Sequence, residues 1–283
     1  MTSEPRTQRD YGEREIEAAR RVLIDLGQVL GSFFEDGIVL VGGLVPDLLV
    51  PDADEPHIGS IDVDLALDVD RLVGGRYARV VQALLATGRY EMTEFPFKLG
   101  ATVDLGDGGP TIVVDVDFLK APLRPPGNEP RILEGFRPID ADACPAAFRH
   151  PSLVPIRGLM INGIKNDVTI RVAAIEDFLV MKAFALAKRD KPKDAYDICW
   201  CLDHAPGGVR PLAVAWRDRL DEPLVVQAIG FLGAKFVDVD SYGPRQVADF
   251  YGAPSGEERD RHARRAFELV GEFLSRIGPL PGH

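Results

Sequence analysis

Sulfur is scarce in this chain, with three cysteines and four methionines among 283 residues. Cys144, Cys199 and Cys201 form no Cys-x-x-Cys pair and have no histidine at zinc-binding spacing. Neither a zinc ribbon nor a disulfide scaffold is expected, and free thiols in a reducing compartment are the plain reading. Long apolar runs are missing too. No stretch reaches the roughly 20 residues needed to cross a bilayer, and Met1-Thr2-Ser3-Glu4-Pro5-Arg6 lacks the apolar region of a signal peptide. The expectation is a cytoplasmic protein with no membrane partner. Positive charge is also short: 33 Lys and Arg face 44 Asp and Glu, a net charge of -11. Such a chain repels nucleic acid at long range, so an RNA or DNA partner has to be met by a local basic patch.

What is present is the composition of a globular protein, 46% hydrophobic and 27% charged, which excludes a disordered or fibrous chain. A length of 283 residues suits two packed units better than one. The pattern turns on residues 38 to 70. Ile38-Val39-Leu40-Val41 reads as a buried strand that stops at Gly42-Gly43, where the backbone must turn tightly or admit a close approach. Ser60-Ile61-Asp62-Val63-Asp64-Leu65-Ala66-Leu67 follows. In a strand, alternate side chains share a face, so Asp62 and Asp64 point one way while Ile61, Val63, Leu65 and Leu67 point the other.

An Asp-x-Asp pair alone fits a solvated edge strand equally well. A second strand, Val113-Val114-Asp115-Val116-Asp117-Phe118, repeats the pattern with Asp115 and Asp117 on one face. Paired, the two strands would crowd like charges, which repel unless a cation lies between them. Oxygen donors select Mg2+ or Mn2+ over zinc.

The rest reads in order. Glu13 to Phe34 has helical spacing, with Gly31 loosening its end and Gly37 stopping it. Leu44 to Val50 is a short helix whose free N–H groups suit a phosphate, and His57 falls in the following loop. Gly75 to Thr87 is a helix with Tyr77 on its core side. Residues 121 to 152 form a proline-rich loop, and Leu153–Ile161 and Val168–Ala173 are strands joined around Asn166-Asp167. From Ile175 the chain is helical, and Ser255-x-x-Glu258 caps a last helix running to Ile277. The expected fold class is α/β (α+β): a core with a mixed sheet over residues 1–174, then a mainly helical domain over 175–283.

Lys182 sits in a helix that is apolar nearly all round, so its ammonium must reach water or find an anion. After it, Lys188-Arg189-Asp190-Lys191-Pro192-Lys193-Asp194-Ala195-Tyr196-Asp197 concentrates cations in an acidic chain. Asp194 and Asp197, three apart, share a face near a helix N-terminus.

Gly42-Gly43, Ser60-x-Asp62-x-Asp64 and the later acidic strand resemble the polymerase-beta type nucleotidyltransferase superfamily. Lys182 with Arg189-x-Lys191-x-Lys193-Asp194-x-x-Asp197 resembles the second signature of the AbiEii-type toxin nucleotidyltransferases. That family includes the MenT toxins of mycobacteria and forms the toxin half of type IV-like toxin–antitoxin pairs. The resemblance implies Mg2+-dependent transfer of an NMP from an NTP to an acceptor, RNA or the 3′ end of tRNA, with a cognate antitoxin as partner. It implies that Asp62, Asp64 and Asp117 hold metal, with Asp115 the alternative to Asp117, and that Lys182 and Asp194 join them in catalysis. Gly42, Gly43, Ser60, Arg189, Lys191, Lys193 and Asp197 would bind substrate. Two rival classes stand beside this one: an antibiotic-type transferase acting on small molecules, and an NTP-binding protein without turnover.

Overall fold

The computed structural model describes residues 5–68, 71–72, 76–122, 135–253 and 255–279, with the side chain of Tyr77 excepted. The Tyr77 side chain, Gly75 and residues 123–134 of the proline-rich segment therefore lie outside the described residues. Two compact units share the chain. One comprises Gly12–Val45 and Gly59–Ala174, and the other Met1–Tyr11, Pro46–Ile58 and Ile175–His283.

The first unit opens with α1 (Glu13–Asp36), whose buried residues include Val22, Leu23, Leu26, Leu30 and Phe34. Gly31 does not end this helix. A Cβ there would meet nothing, so the position sits on an open face and the helix continues until Gly37 caps it through a bond to the Phe33 carbonyl. Then come β1 (Ile38–Val41), α2 (Leu44–Leu49), whose residues from Pro46 on belong to the other unit, β2 (Val63–Leu67), α3 (Arg76–Ala86), β3 (Tyr90–Met92), β4 (Lys98–Val103), β5 (Ile112–Lys120), β6 (Ile139–Asp140), β7 (Ser152–Leu159) and β8 (Lys165–Val172). The segment read as loop thus holds β6 and a short 3-10 turn, Cys144–Phe148.

Among the described residues the strands form one mixed sheet in the order β3-β4-β5-β2-β1-β8-β7, with β6 beside β5. Pairs β2·β5, β1·β8 and β5·β6 are parallel, and the other pairs are antiparallel. Val63, Leu65, Val114, Val116 and Phe118 are fully buried, each contributing roughly 1.5–3 kcal/mol. That apolar face anchors the strands that carry the aspartates.

The β7–β8 turn differs from the sequence expectation. Asn166 and Asp167 lie within β8, where Asp167 pairs with Arg157, and the chain reverses over residues 160–164. Gly163 takes the positive φ (+76°) that the reversal needs, a conformation glycine adopts without steric cost.

The second unit is helical: α4 (Ile175–Lys188), α5 (Pro192–His204), α6 (Val209–Arg217), α7 (Pro223–Lys235), α8 (Tyr242–Tyr251) and α9 (Gly256–Ile277). Pro192 and Pro223 open their helices where a missing N–H costs nothing. Ser255 accepts from the Glu258 N–H at 3.2 Å, a cap contributing about 1 kcal/mol. Residues 46–58 join this unit through side chains: Trp200 Nε1 donates to the Glu55 carbonyl (3.1 Å), and the Tyr196 hydroxyl accepts from the Ile58 N–H (3.2 Å). No helix among the described residues is long and apolar enough to cross a membrane.

Candidate active site

The aspartates gather in the sheet of the first unit. β2 and β5 pair in parallel with Asp64 opposite Asp117, and β1 sets Val41 opposite Asp64. Asp62 stands one residue before β2, where the buried Ser60 hydroxyl donates to its Oδ1 at 2.5 Å. Gly42 turns the chain at φ +75°. Its missing side chain is required twice, because a Cβ would also overlap Asp64 Oδ2. Gly43 is buried beside it.

Lys98 was not singled out in the sequence. On β4 it lies opposite Asp117, with its Nζ 2.6 Å from Asp115 Oδ2 and 3.6 Å from Asp117 Oδ1. Burial by itself would lower the Lys98 pKa, but Asp115, Asp117 and Asp62 together raise it. Its signal was positional, the one cation on a strand that must pair with an acidic neighbour. Lys98 thus makes its hydrogen bond to Asp115 and a longer ion pair to the buried Asp117 Oδ1, which accepts no hydrogen bond within 3.5 Å. Burial pushes the Asp117 pKa up to about 6, Lys98 opposes the shift, and Asp62 and Asp115 add to it.

Three carboxylates of hard oxygen fit a magnesium-type cation in chemistry. Among the described residues no three His, Cys, Asp or Glu side chains converge as a metal cage.

The second signature gathers in the helical unit. Lys182 finds anions: its Nζ lies 2.8 Å from Asp194 Oδ1 and 2.7 Å from Asp197 Oδ2. Arg189 grips Asp194 with two bonds (2.7 and 2.9 Å), and Lys193 reaches Asp197 Oδ1 at 2.6 Å. Both aspartates are wholly buried. Burial pulls the Lys182 pKa down, yet Asp194 and Asp197 more than offset this and raise it. Burial likewise raises the aspartates, but Lys182 with Arg189 or Lys193 brings both below the usual range.

His57, read from sequence as a loop residue, completes the cluster. Its Nε2 lies 3.0 Å from Asp197 Oδ1, its ring stacks on Tyr196 and meets Trp200 edge-on, and its side chain is fully covered. Burial lowers its pKa to about 4, with Lys193 adding to the effect and Asp197 opposing it. The imidazole is therefore neutral at pH 7, and Nε2 carries the proton because a carboxylate can only accept. Lys191 stands half-buried at the N-terminus of α5, and Arg189 is exposed.

Residues 32–268 match the family model described as "Nucleotidyl transferase AbiEii toxin, Type IV TA system". The chain belongs to the AbiEii family. It is a nucleotidyltransferase of the toxin type, and the family implies an NTP substrate and an antitoxin. Two solved structures are similar. One is an antigenic nucleotidyltransferase-like protein from Paracoccidioides brasiliensis, 16% identical at a TM-score of 0.44, with 80% of this chain and 92% of that one covered. The other is JHP933 from Helicobacter pylori, 13% identical at a TM-score of 0.39, with 94% of each chain covered. No curated protein matches the chain. In this AbiEii chain the first signature thus occupies the sheet and the second the helices.

Proposed function

We propose that the chain moves an NMP from an NTP to the 3′ end of an RNA, tRNA being the acceptor of choice, with Mg2+ or Mn2+ as cofactor, and that its antitoxin restrains this transfer in the cytoplasm. The observation that supports this best is the register of Asp64 against Asp117 on adjacent parallel strands, with Asp62 fixed alongside by Ser60.

Asp62, Asp64 and Asp117 would hold the metal, which supplies charge stabilisation for the transferring phosphoryl group and acidifies the attacking hydroxyl. Ser60 fixes one carboxylate and Gly42 leaves room for another. Asp117, level with Asp64 in the sheet, would help the metal activate the acceptor hydroxyl. In the helical unit, Lys182 acts as a positioning residue that holds Asp194 and Asp197 fixed. Arg189 and Lys191 are the cations of that signature that reach solvent.

The test is incubation with each α-labelled NTP, Mg2+ and total RNA. Label at RNA 3′ ends that vanishes with EDTA is expected. Label in small molecules alone would favour an antibiotic-type transferase, and no label with any NTP would overturn the reading.

A further inference from the structure

Five large apolar side chains among the described residues are well exposed, and the aromatic one is Phe95, at 47%. A lone exposed apolar residue is ordinary, but Phe95 stands on a loop that is built. The Thr93 hydroxyl lies 3.2 Å from the Phe95 carbonyl and 3.1 Å from the Lys98 carbonyl, and it accepts from the Phe95 N–H at 3.1 Å. The Lys98 N–H donates to the Phe95 carbonyl (3.2 Å), the Arg137 N–H to that of Pro96 (2.5 Å) and the Phe118 N–H to that of Phe97 (3.0 Å). The backbone from 95 to 97 is therefore tied at each carbonyl. Phe97 backs the Phe95 ring at 5.8 Å with a tilt of 35°.

The loop leads directly into Lys98. Its ammonium lies 5.5 Å from the Phe95 ring centroid, within cation–π range, and the same ammonium contacts Asp115 and approaches Asp117. The half-exposed Phe95 ring thus lies one side chain away from the carboxylates proposed to work on the triphosphate, with a cation between them. A flat π-surface beside a cation matches a nucleotide, which has a flat base at one end and phosphates at the other. We propose that Phe95 is the stacking platform for the base of the incoming NTP, with Lys98, whose ammonium lies over the ring, between it and the phosphates. This rests on the nucleotidyltransferase reading above. Every base has a π-face, so stacking alone discriminates weakly between bases.

The experiment is calorimetric titration of each Mg-NTP, and of magnesium tripolyphosphate, into wild type, Phe95→Ala, Phe95→Leu and Phe95→Trp. Wild type is expected to bind both. Phe95→Ala and Phe95→Leu should lose roughly 5- to 150-fold in NTP affinity while binding tripolyphosphate as wild type does, which also shows that they are folded. Phe95→Trp should retain NTP affinity, and its indole fluorescence should be quenched by NTP but not by tripolyphosphate. Equal NTP affinity in wild type and Phe95→Ala would overturn the stacking platform and leave the transferase reading standing. A wild-type protein that binds no NTP would overturn both.

Discussion

The backbone of Gly42 lies against the carboxylate of Asp64: a Cβ on Gly42 would fall 1.8 Å from Oδ2 and 2.6 Å from Cγ. Gly42→Ala is therefore expected to displace Asp64 and abolish nucleotidyl transfer. Its positive φ adds about 1–2 kcal/mol of backbone cost, so the urea midpoint should fall as well. A Gly42→Ala protein with wild-type transfer would show that Asp64 is not needed where it stands.

Lys182→Met addresses the second signature. Removing one member of a buried ion pair typically costs about 3–5 kcal/mol, because the partner charge is stranded. Here Asp194 keeps Arg189, and Asp197 keeps Lys193 and His57, so the loss should sit at the low end. Arg189→Met, at an exposed position, should cost less than 1 kcal/mol or so. Chemical denaturation of the two variants separates these values, and a Lys182→Met protein as stable as wild type would contradict the positioning role.

Much of this was legible in the sequence, and the gaps have physical causes. Alternation alone put Asp115 and Asp117 on one face and Val114, Val116 and Phe118 on the other, because the side-chain period of a strand is two. The Ser255 cap was equally plain, since it is made within one turn of helix. What failed to show was long-range. His57 meets Asp197 across 140 positions, and nothing around Pro56-His57-Ile58 announces a buried ring. The Lys98 contact with Asp115 depends on the register of β4 against β5, which sets Lys98 opposite Asp117. The β7–β8 turn was misplaced although Asn162-Gly163 is itself a strong turn pair; Asn166-Asp167 looked like a turn only while its partners Gly158 and Arg157 were unknown.

The buried His57 predicts a pH dependence. Its folded pKa is depressed from 6.5 to about 4, so its contribution to stability is complete above pH 6.5 and drains away as pH falls toward 4. In full it amounts to roughly 3 kcal/mol. The groups acting on it are Lys193, Asp197 and Asp47, with Tyr196 and Trp200 against the ring. His57→Gln, neutral throughout, should flatten the stability curve between pH 6.5 and 4. Guanidinium denaturation at half-unit pH steps measures both proteins, and parallel curves would place the titration elsewhere.

The carboxylates themselves give the sharpest separation of catalytic from structural acids. If Asp64 and Asp117 hold metal, Asp64→Asn and Asp117→Asn should each abolish transfer. Stability should move the other way in EDTA. The folded pKa of Asp117 is raised, chiefly by burial, so its ionised form opposes folding above pH 6 and is relieved below it. Removing the charge at pH 8 should leave the melting temperature equal or higher, and Lys98 keeps Asp115 as a partner. Adding Mg-NTP at a hundred times its Kd should stabilise wild type by about 2.7 kcal/mol and leave both variants unmoved. An acid held for structure would behave oppositely, melting lower in EDTA while transfer persisted. Melting curves with and without Mg-NTP, run beside the labelled transfer assay, read all of these differences, and full transfer in either variant would remove that aspartate from the metal site.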